Sequence, residues 1–102
     1  MGFLSKLFGS APKADFKELI KRGAVIVDVR TPGEFAGGHI RNSVNIPLQL
    51  LQNSLSKLKK DKPVITCCAS GMRSASAKSI LKAKGYDAHN GGGWISLQSR
   101  IR

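Results

Sequence analysis

Cys67 and Cys68 are adjacent and are the only cysteines in the 102-residue chain. They end the apolar run Val64-Ile65-Thr66 and precede Ala69-Ser70-Gly71-Met72-Arg73-Ser74, a short stretch with one glycine and one arginine. The thiolate is the nucleophilic form of cysteine, and a helix N-terminus or a nearby cation favours it. A turn between a strand and a helix can aim successive backbone N–H groups at an anion, reinforced by the helix dipole. Arg73 adds a fixed positive charge for an incoming oxyanion. These are the parts of a covalent thiolate mechanism. Which cysteine uses them depends on the count to Arg73.

Five residues separate Cys67 from Arg73, the spacing of cysteine-dependent phosphatases, but Thr66 and Ser70 stand where that pattern has His and Gly. A phosphatase or arsenate reductase built on Cys67 is the alternative enzyme. Four residues separate Cys68 from Arg73, with Gly71 at plus three and Ser74 at plus six. Cys67 still belongs to the apolar run, and Cys68 is read as the first residue beyond it. Cys68 is therefore the expected nucleophile, with residues 69–74 as its anion-binding loop. Cys67 is read as a core cysteine in preference to a resolving thiol, since free cysteine is among the most buried residue types.

The elements that position this loop alternate between helix and strand, the pattern of an α/β domain with a parallel sheet. Asp15 with Glu18 marks a helix start, Phe16, Leu19 and Ile20 share its apolar face, and Gly23 ends it. Ala24–Val29 is a β-branched run suited to a strand buried on both faces. Thr31-Pro32-Gly33-Glu34 starts a second, short helix. Ser43–Pro47 reads as a short strand, and Leu48, Leu51, Leu55 and Leu58 recur at helical spacing. After the Val64–Cys67 strand, a helix is expected from Ser74 to Lys84, with Ala77, Ile80 and Leu81 inward. A last strand at Tyr86–Asn90 and a helix carrying Trp94, Leu97 and Ile101 complete the chain. In such a sheet ligands bind outside the carboxyl ends of the strands. Asp28 and Arg30 share that edge with Cys68 and are candidates for an ion pair steadying the loop.

Seventeen Lys and Arg against six Asp and Glu give a formal net charge of +11. Such a surface attracts anions, acidic proteins among them. Lys57, Lys59, Lys60 and Lys62 form the one cluster, with no arginine-rich arm and no interleaved aromatics, so nucleic-acid binding is disfavoured. Two adjacent cysteines make no disulfide framework, which points to a reducing, cytoplasmic setting. No apolar run approaches the ~18 residues of a membrane span. The opening residues carry no continuous apolar core of a secretory signal, and Lys6 breaks the myristoylation pattern. Phe3, Leu4, Leu7 and Phe8 can line a short amphipathic face; a segment packed on the domain or frayed is preferred over membrane-surface contact. Two adjacent cysteines and two distant histidines have no metal-ligand spacing.

The string Cys68-x-Ser-Gly-x-Arg-Ser resembles the active-site loop of rhodanese sulfurtransferases. Val25–Pro47 carries Asp-x-Arg, a following Glu, Gly-His-Ile and Asn-Ile-Pro, and "GYDAHNGGGW" is similar to the closing strand and Gly-Gly-Trp of the same family. Asn42-Ser43, in place of the common Gly-Ala, and a third glycine in "GGG" depart from the pattern. The resemblance implies a three-layer α/β/α rhodanese-like fold, with a central parallel sheet of about five strands, over residues 14–102 behind an extension of residues 1–13. It implies transfer of a sulfane sulfur from thiosulfate or a persulfide donor to cyanide or a thiol, through a persulfide on Cys68. The amides of Ala69, Ser70, Gly71, Met72, Arg73 and Ser74 would hold that persulfide. No cofactor is implied, and His39 falls in a structural turn. A persulfide carrier for one docked, acidic protein partner is the non-enzymatic alternative.

Overall fold

Asp15 starts the first helix, α1 (Phe16–Lys21): its Oδ1 accepts the Glu18 amide at 3.1 Å, and the helix buries Phe16 and Leu19. The structure is a computed structural model that describes residues 15–102; the extension and its apolar stripe lie outside the described residues. Strand β1 (Val25–Asp28) follows, then α2 (Pro32–Ala36). Thr31 and Glu34 cap α2 reciprocally: Thr31 Oγ1 accepts the Glu34 amide at 3.2 Å, and Glu34 Oε1 accepts the Thr31 amide at 3.0 Å. Strand β2 (Val44–Asn45), β3 (Val64–Cys68), α3 (Met72–Ala83), β4 (Ala88–Gly93) and α4 (Trp94–Arg100) complete the order.

The strands pair in the order β2-β1-β3-β4, every pair parallel. Among the described residues the sheet thus has four strands rather than about five. Four is also the number of strand-forming segments in the residue pattern; the fifth came from the resemblance alone. Alternate residues of β1 and β3 point to opposite faces, as the pleat requires. Ile26, Ile65 and Cys67 pack with Phe16, Leu19, Ile40 and Leu97 on one side. Val27, Val64 and Cys68 pack with Ile46, Leu51, Ala77 and Leu81 on the other. Helices cover both faces, which makes the three-layer arrangement.

Four boundaries differ from expectation, the first being the last strand, which runs Ala88–Gly93 through the glycine triplet in place of Tyr86–Asn90. The leucine run forms two 3₁₀ segments, Leu48–Asn53 and Leu55–Lys57, in place of one α-helix. The spacings 48/51 and 55/58 are three residues each, which matches the 3₁₀ repeat. The Tyr86 hydroxyl donates to the carbonyls of both Leu55 and Leu58, at 2.9 and 3.0 Å, and holds the second segment to the core. Helix α3 begins at Met72, two residues before Ser74, with Gly71 as its cap. Cys68 is the last residue of β3, opposite Gly93, and not the first beyond the strand.

The lysine cluster lies at the other end of the sheet. The Pro63 carbonyl accepts the Val25 amide at 2.9 Å where β1 begins, and Lys60 sits 5.5 Å over the Tyr86 ring just before β4. Five residues of β3, about 16 Å of strand, lie between this basic pole and the Cys68 edge.

Candidate functional site

The Cys68 side chain is 1 % exposed and turned toward the start of α3. Its Sγ accepts the Gly71 amide at 3.0 Å and the Ser74 amide at 3.3 Å, and the Ser74 hydroxyl lies 3.4 Å away. Of the six loop residues expected to hold the sulfur, Gly71 and Ser74 make these contacts. Ala69 and Ser70 are exposed, with the Ser70 amide also favouring the thiolate, while Met72 is 80 % exposed and points outward. Burial by itself would push the thiol up. The Ser74 hydroxyl and the amides of Ser74, Gly71 and Ser70 outweigh it, so Cys68 lies below the ordinary thiol range.

This geometry depends on Gly71, whose φ of +108° is a backbone region that side chains rarely adopt. Gly93 opposes the loop closely: a Cβ there would stand 2.9 Å from the Ala69 carbonyl oxygen. The third glycine of the triplet therefore lets β4 approach the turn.

Ser74 is fully buried and its hydroxyl has one proton for several acceptors. Asn90 Oδ1 lies at 2.7 Å and the Gly71 carbonyl at 3.0 Å. While the thiol is neutral, its S–H can donate to Ser74 Oγ and the hydroxyl proton can go to Asn90. When the thiol ionises, that proton must turn to Sγ. Asn90 Oδ1 also accepts the Gly92 amide at 2.9 Å, so it holds the glycine segment and the serine together. A hydrogen bond to a charged acceptor is worth about 1.5–3 kcal/mol, so Ser74→Ala should cut the thiolate fraction below the inflection by about tenfold or more. The inflection moves up in pH, because the charged form loses a donor. Ultraviolet titration of the thiolate reads this; an unmoved inflection would contradict the assigned role.

Cys67 faces the opposite way and is fully buried beside Ile26, Ile65 and Leu97. Burial, then the neighbouring Asp28 carboxylate, push its thiol up to about 12, against a smaller opposing effect of Arg30. The two cysteines are adjacent in sequence and on opposite faces of the sheet.

Asp28 and Arg30 meet as a buried pair at the end of β1. Arg30 Nη2 donates to Asp28 Oδ2 at 2.7 Å, and Arg30 Nε donates to Oδ1 and Oδ2 at 2.9 and 3.0 Å. The side chains are 5 % and 0 % exposed. The hydrogen bonds to Asp28 raise the Arg30 pKa further. The same guanidinium lies 4.9 Å from the Trp94 ring centroid and donates to the carbonyls of Gly38 (2.7 Å) and Glu34 (3.3 Å). Among the described residues the hydrogen bonds of the pair reach α2 and the turn after it, not the Cys68 loop. In register, Asp28 is the partner of Cys67.

Arg73 does not stand free at the loop. Its Nη1 and Nη2 donate to Glu34 Oε1 and Oε2 at 2.8 and 3.1 Å, a two-pronged pair. The Arg73 guanidinium, then the Thr31 amide, hold the Glu34 carboxyl down at about 2. Glu34 and Asn90 are the two residues of this neighbourhood that residue types and spacing did not single out. Glu34 was legible as a helix cap; its reach to Arg73, 39 residues away, was not. His39 is held in its turn by the Phe35 carbonyl at 2.7 Å and stacks on the Phe35 ring. His89 pairs with Asp87. Trp94 packs partly buried against the face that holds Cys67.

The fold is a parallel α/β sheet with a buried thiol at a strand end, cradled by the amides of a strand-to-helix turn. A model of the rhodanese-like domain matches residues 12–95, and the chain belongs to that family. It is 33 % identical to the thiosulfate sulfurtransferase GlpE of Pseudomonas syringae pv. syringae, over 78 % of this chain and 74 % of the relative. It is 39 % identical to a sulfurtransferase of Allochromatium vinosum, over 61 % of this chain and 58 % of that protein. The uncharacterized protein YqhL of Bacillus subtilis is 42 % identical over 63 % of this chain, which spans 51 % of that relative. Among solved structures, a rhodanese-related protein from Thermoplasma volcanium superposes with a TM-score of 0.73 at 36 % identity, covering 83 % of this chain and 84 % of that one. The human single-domain sulfurtransferase TSTD1 gives 0.74 at 26 %, covering 86 % and 96 %. At family level the chain is thus a relative of sulfurtransferases.

Proposed function

We propose that this protein transfers a sulfane sulfur through a persulfide on Cys68. The observation that supports this most is the convergence of the Gly71 and Ser74 amides and the Ser74 hydroxyl on one buried sulfur. In the first half-reaction the Cys68 thiolate attacks the outer sulfur of thiosulfate or of a persulfide. The donor's sulfur–sulfur bond breaks, sulfite or a thiolate leaves with the electron pair, and a Cys68 persulfide remains. Its terminal negative sulfur would meet the same preorganised donors. In the second half-reaction an acceptor, cyanide or a thiol, attacks that terminal sulfur and Cys68 leaves as thiolate. The reaction needs no cofactor, and two free cysteines suit a reducing, cytoplasmic setting.

The competing phosphatase reading needs Cys67, which is fully buried on the other face and raised to about 12. The carrier reading invokes an acidic protein drawn to the basic cluster. That cluster lies at the opposite end of the sheet from Cys68, so it does not border the sulfur. Among the described residues no helix is long and apolar enough to cross a membrane.

Turnover is the test. With thiosulfate and cyanide supplied, thiocyanate should accumulate in proportion to enzyme. A protein that takes one sulfur and releases it to neither cyanide nor a small thiol would favour the carrier, and one that takes none from thiosulfate or from an organic persulfide would refute the proposal.

A further inference from the structure

We infer that Asn90 is a positioning residue for the Cys68 thiol: its side-chain oxygen holds the Ser74 hydroxyl proton away from the sulfur while the thiol is neutral and yields it when the thiolate forms. This role rests on the proposed Cys68 chemistry and sets when its nucleophile becomes available.

Asn90 is the register partner of Thr66, and Gly93 that of Cys68, so Gly91 and Gly92 together stand opposite Cys67 in a bulge of β4. Within that bulge the Gly92 amide donates to Asn90 Oδ1 at 2.9 Å. An N–H can only donate, so the atom it meets is the amide oxygen, and that oxygen can only accept. The same oxygen lies 2.7 Å from Ser74 Oγ, so the hydroxyl proton of Ser74 points at Asn90. The competing acceptor, the Gly71 carbonyl, is farther at 3.0 Å and also takes the Ala75 amide at 3.1 Å. With its one proton directed to Asn90, Ser74 Oγ meets the sulfur 3.4 Å away as an acceptor of the S–H. That is the arrangement of a neutral thiol.

Ionisation reverses the last contact. The thiol proton leaves to solvent, and the Ser74 hydroxyl keeps its own proton but turns it from Asn90 to Sγ. The Gly71 and Ser74 amides donate to the sulfur in either state. Asn90 Oδ1 is left with the Gly92 amide alone, so each ionisation costs the Ser74–Asn90 hydrogen bond. Asn90 therefore opposes the thiolate that Ser74 favours. The charged groups of the surrounding elements are paired elsewhere: Arg73 with Glu34, Arg30 with Asp28, and His89 with Asp87. Lys78 stands one turn beyond Ser74 on α3, and Cys67 faces the other side of the sheet. Among the described residues none of these side chains hydrogen-bonds the Ser74 hydroxyl or the Asn90 amide.

The test is ultraviolet titration of the Cys68 thiolate in Asn90→Ala, made in the wild-type and in the Ser74→Ala background, with the pH profile of sulfur loading beside it. Cys67 ionises only at about 12, and Cys68 lies below the ordinary thiol range, so the two steps are separate. Asn90→Ala should lower the inflection and raise the thiolate fraction below it about threefold, the scale of one neutral hydrogen bond. The rise of the loading rate should move to lower pH by the same amount. In the Ser74→Ala background the same substitution should leave the inflection unmoved, because Asn90 acts through Ser74. A merely structural role has the opposite sign, since a loosened loop takes donors from the sulfur and moves the inflection up. Asn90→Asp, nearly the same in size, serves if the alanine variant does not fold. Its carboxylate holds the Ser74 proton more firmly, so the inflection should rise, and rise further with Ser74 present than without it. An inflection that stays or rises in Asn90→Ala, or a shift of equal size in both backgrounds with either substitution, would overturn the inference. The titration needs no sulfur donor, so that result leaves the proposed function standing. Absence of loading from thiosulfate and from an organic persulfide would overturn the proposed function itself.

Discussion

Cys68→Ser is expected to abolish sulfur transfer, with residual turnover at least about a thousandfold below wild type, since removing a covalent nucleophile leaves only binding effects. The serine hydroxyl would sit among the same donors but is not a thiolate at neutral pH and cannot carry a sulfane sulfur. Cys67→Ala should retain activity within a few-fold. Its sulfur lies on the other face of the sheet, fully buried among Ile26, Ile65 and Leu97, and the chain cannot turn it toward the loop without reversing the register of β3. Alanine leaves a small cavity there, so its cost should appear as lower stability and not as lost chemistry. Steady-state thiocyanate formation by the two variants separates these outcomes. Survival of Cys68→Ser together with loss in Cys67→Ala would support the phosphatase-like spacing instead.

Asp28→Ala carries the largest expected effect on stability. The substitution leaves the Arg30 guanidinium 5 % exposed with no carboxylate, and it also removes the acceptor of the Arg30 amide at 3.0 Å. Breaking a buried pair from one side costs about 3–5 kcal/mol, a large part of the stability of a small domain. Urea denaturation should show the loss in the midpoint with little change in slope. Replacing both members with apolar residues of similar size, Asp28→Leu with Arg30→Met, should cost less than Asp28→Ala alone, because no charge is then stranded. A loss below about 1 kcal/mol in Asp28→Ala would mean that the guanidinium finds water or another partner. The pair reaches the site only through α2: Arg30 holds the Glu34 and Gly38 carbonyls, and the Glu34 side chain holds Arg73. Asp28→Ala should therefore also disturb the Arg73 position.

Much of this arrangement was legible in the residues because the signals are local. Thr31-Pro32-Gly33-Glu34 spells a helix start, and the β-branched runs at 25–29 and 64–67 spell buried strands. The choice between the two cysteines came from a count to Arg73, and the pleat that sets them on opposite faces follows from their adjacency. Boundaries set by backbone geometry were less legible. Met72 and Arg73 carry no capping signal, since α3 is entered through the positive φ of Gly71 and not through a side chain. Leu48, Leu51, Leu55 and Leu58 are too few positions to tell a repeat of three from 3.6. Contacts between distant segments left no trace. Glu34 meets Arg73 from 39 residues away, and Asn90 meets Ser74 from 16 away. Asn45 is a milder case: it stands in the Asn-Ile-Pro signature, and its amide donates to the carbonyls of Asp28 and Arg30, both at 3.0 Å. Asn42, where the family commonly has glycine, sits at φ +70°, a conformation asparagine tolerates better than most side chains.

The central claim is that the sulfur is carried on Cys68, and one measurement addresses it directly. Because Cys67 and Cys68 are adjacent, any tryptic peptide holds both, and only cleavage of the peptide bond between them assigns the extra atom. The wild-type protein should be loaded with a sulfane donor, capped with an alkylating agent and fragmented in the mass spectrometer. Fragments that begin at Cys68 should be one sulfur heavier than those of the unloaded, alkylated control, while fragments that end at Cys67 should match it. An added sulfur on the Cys67 side of that bond would contradict the account.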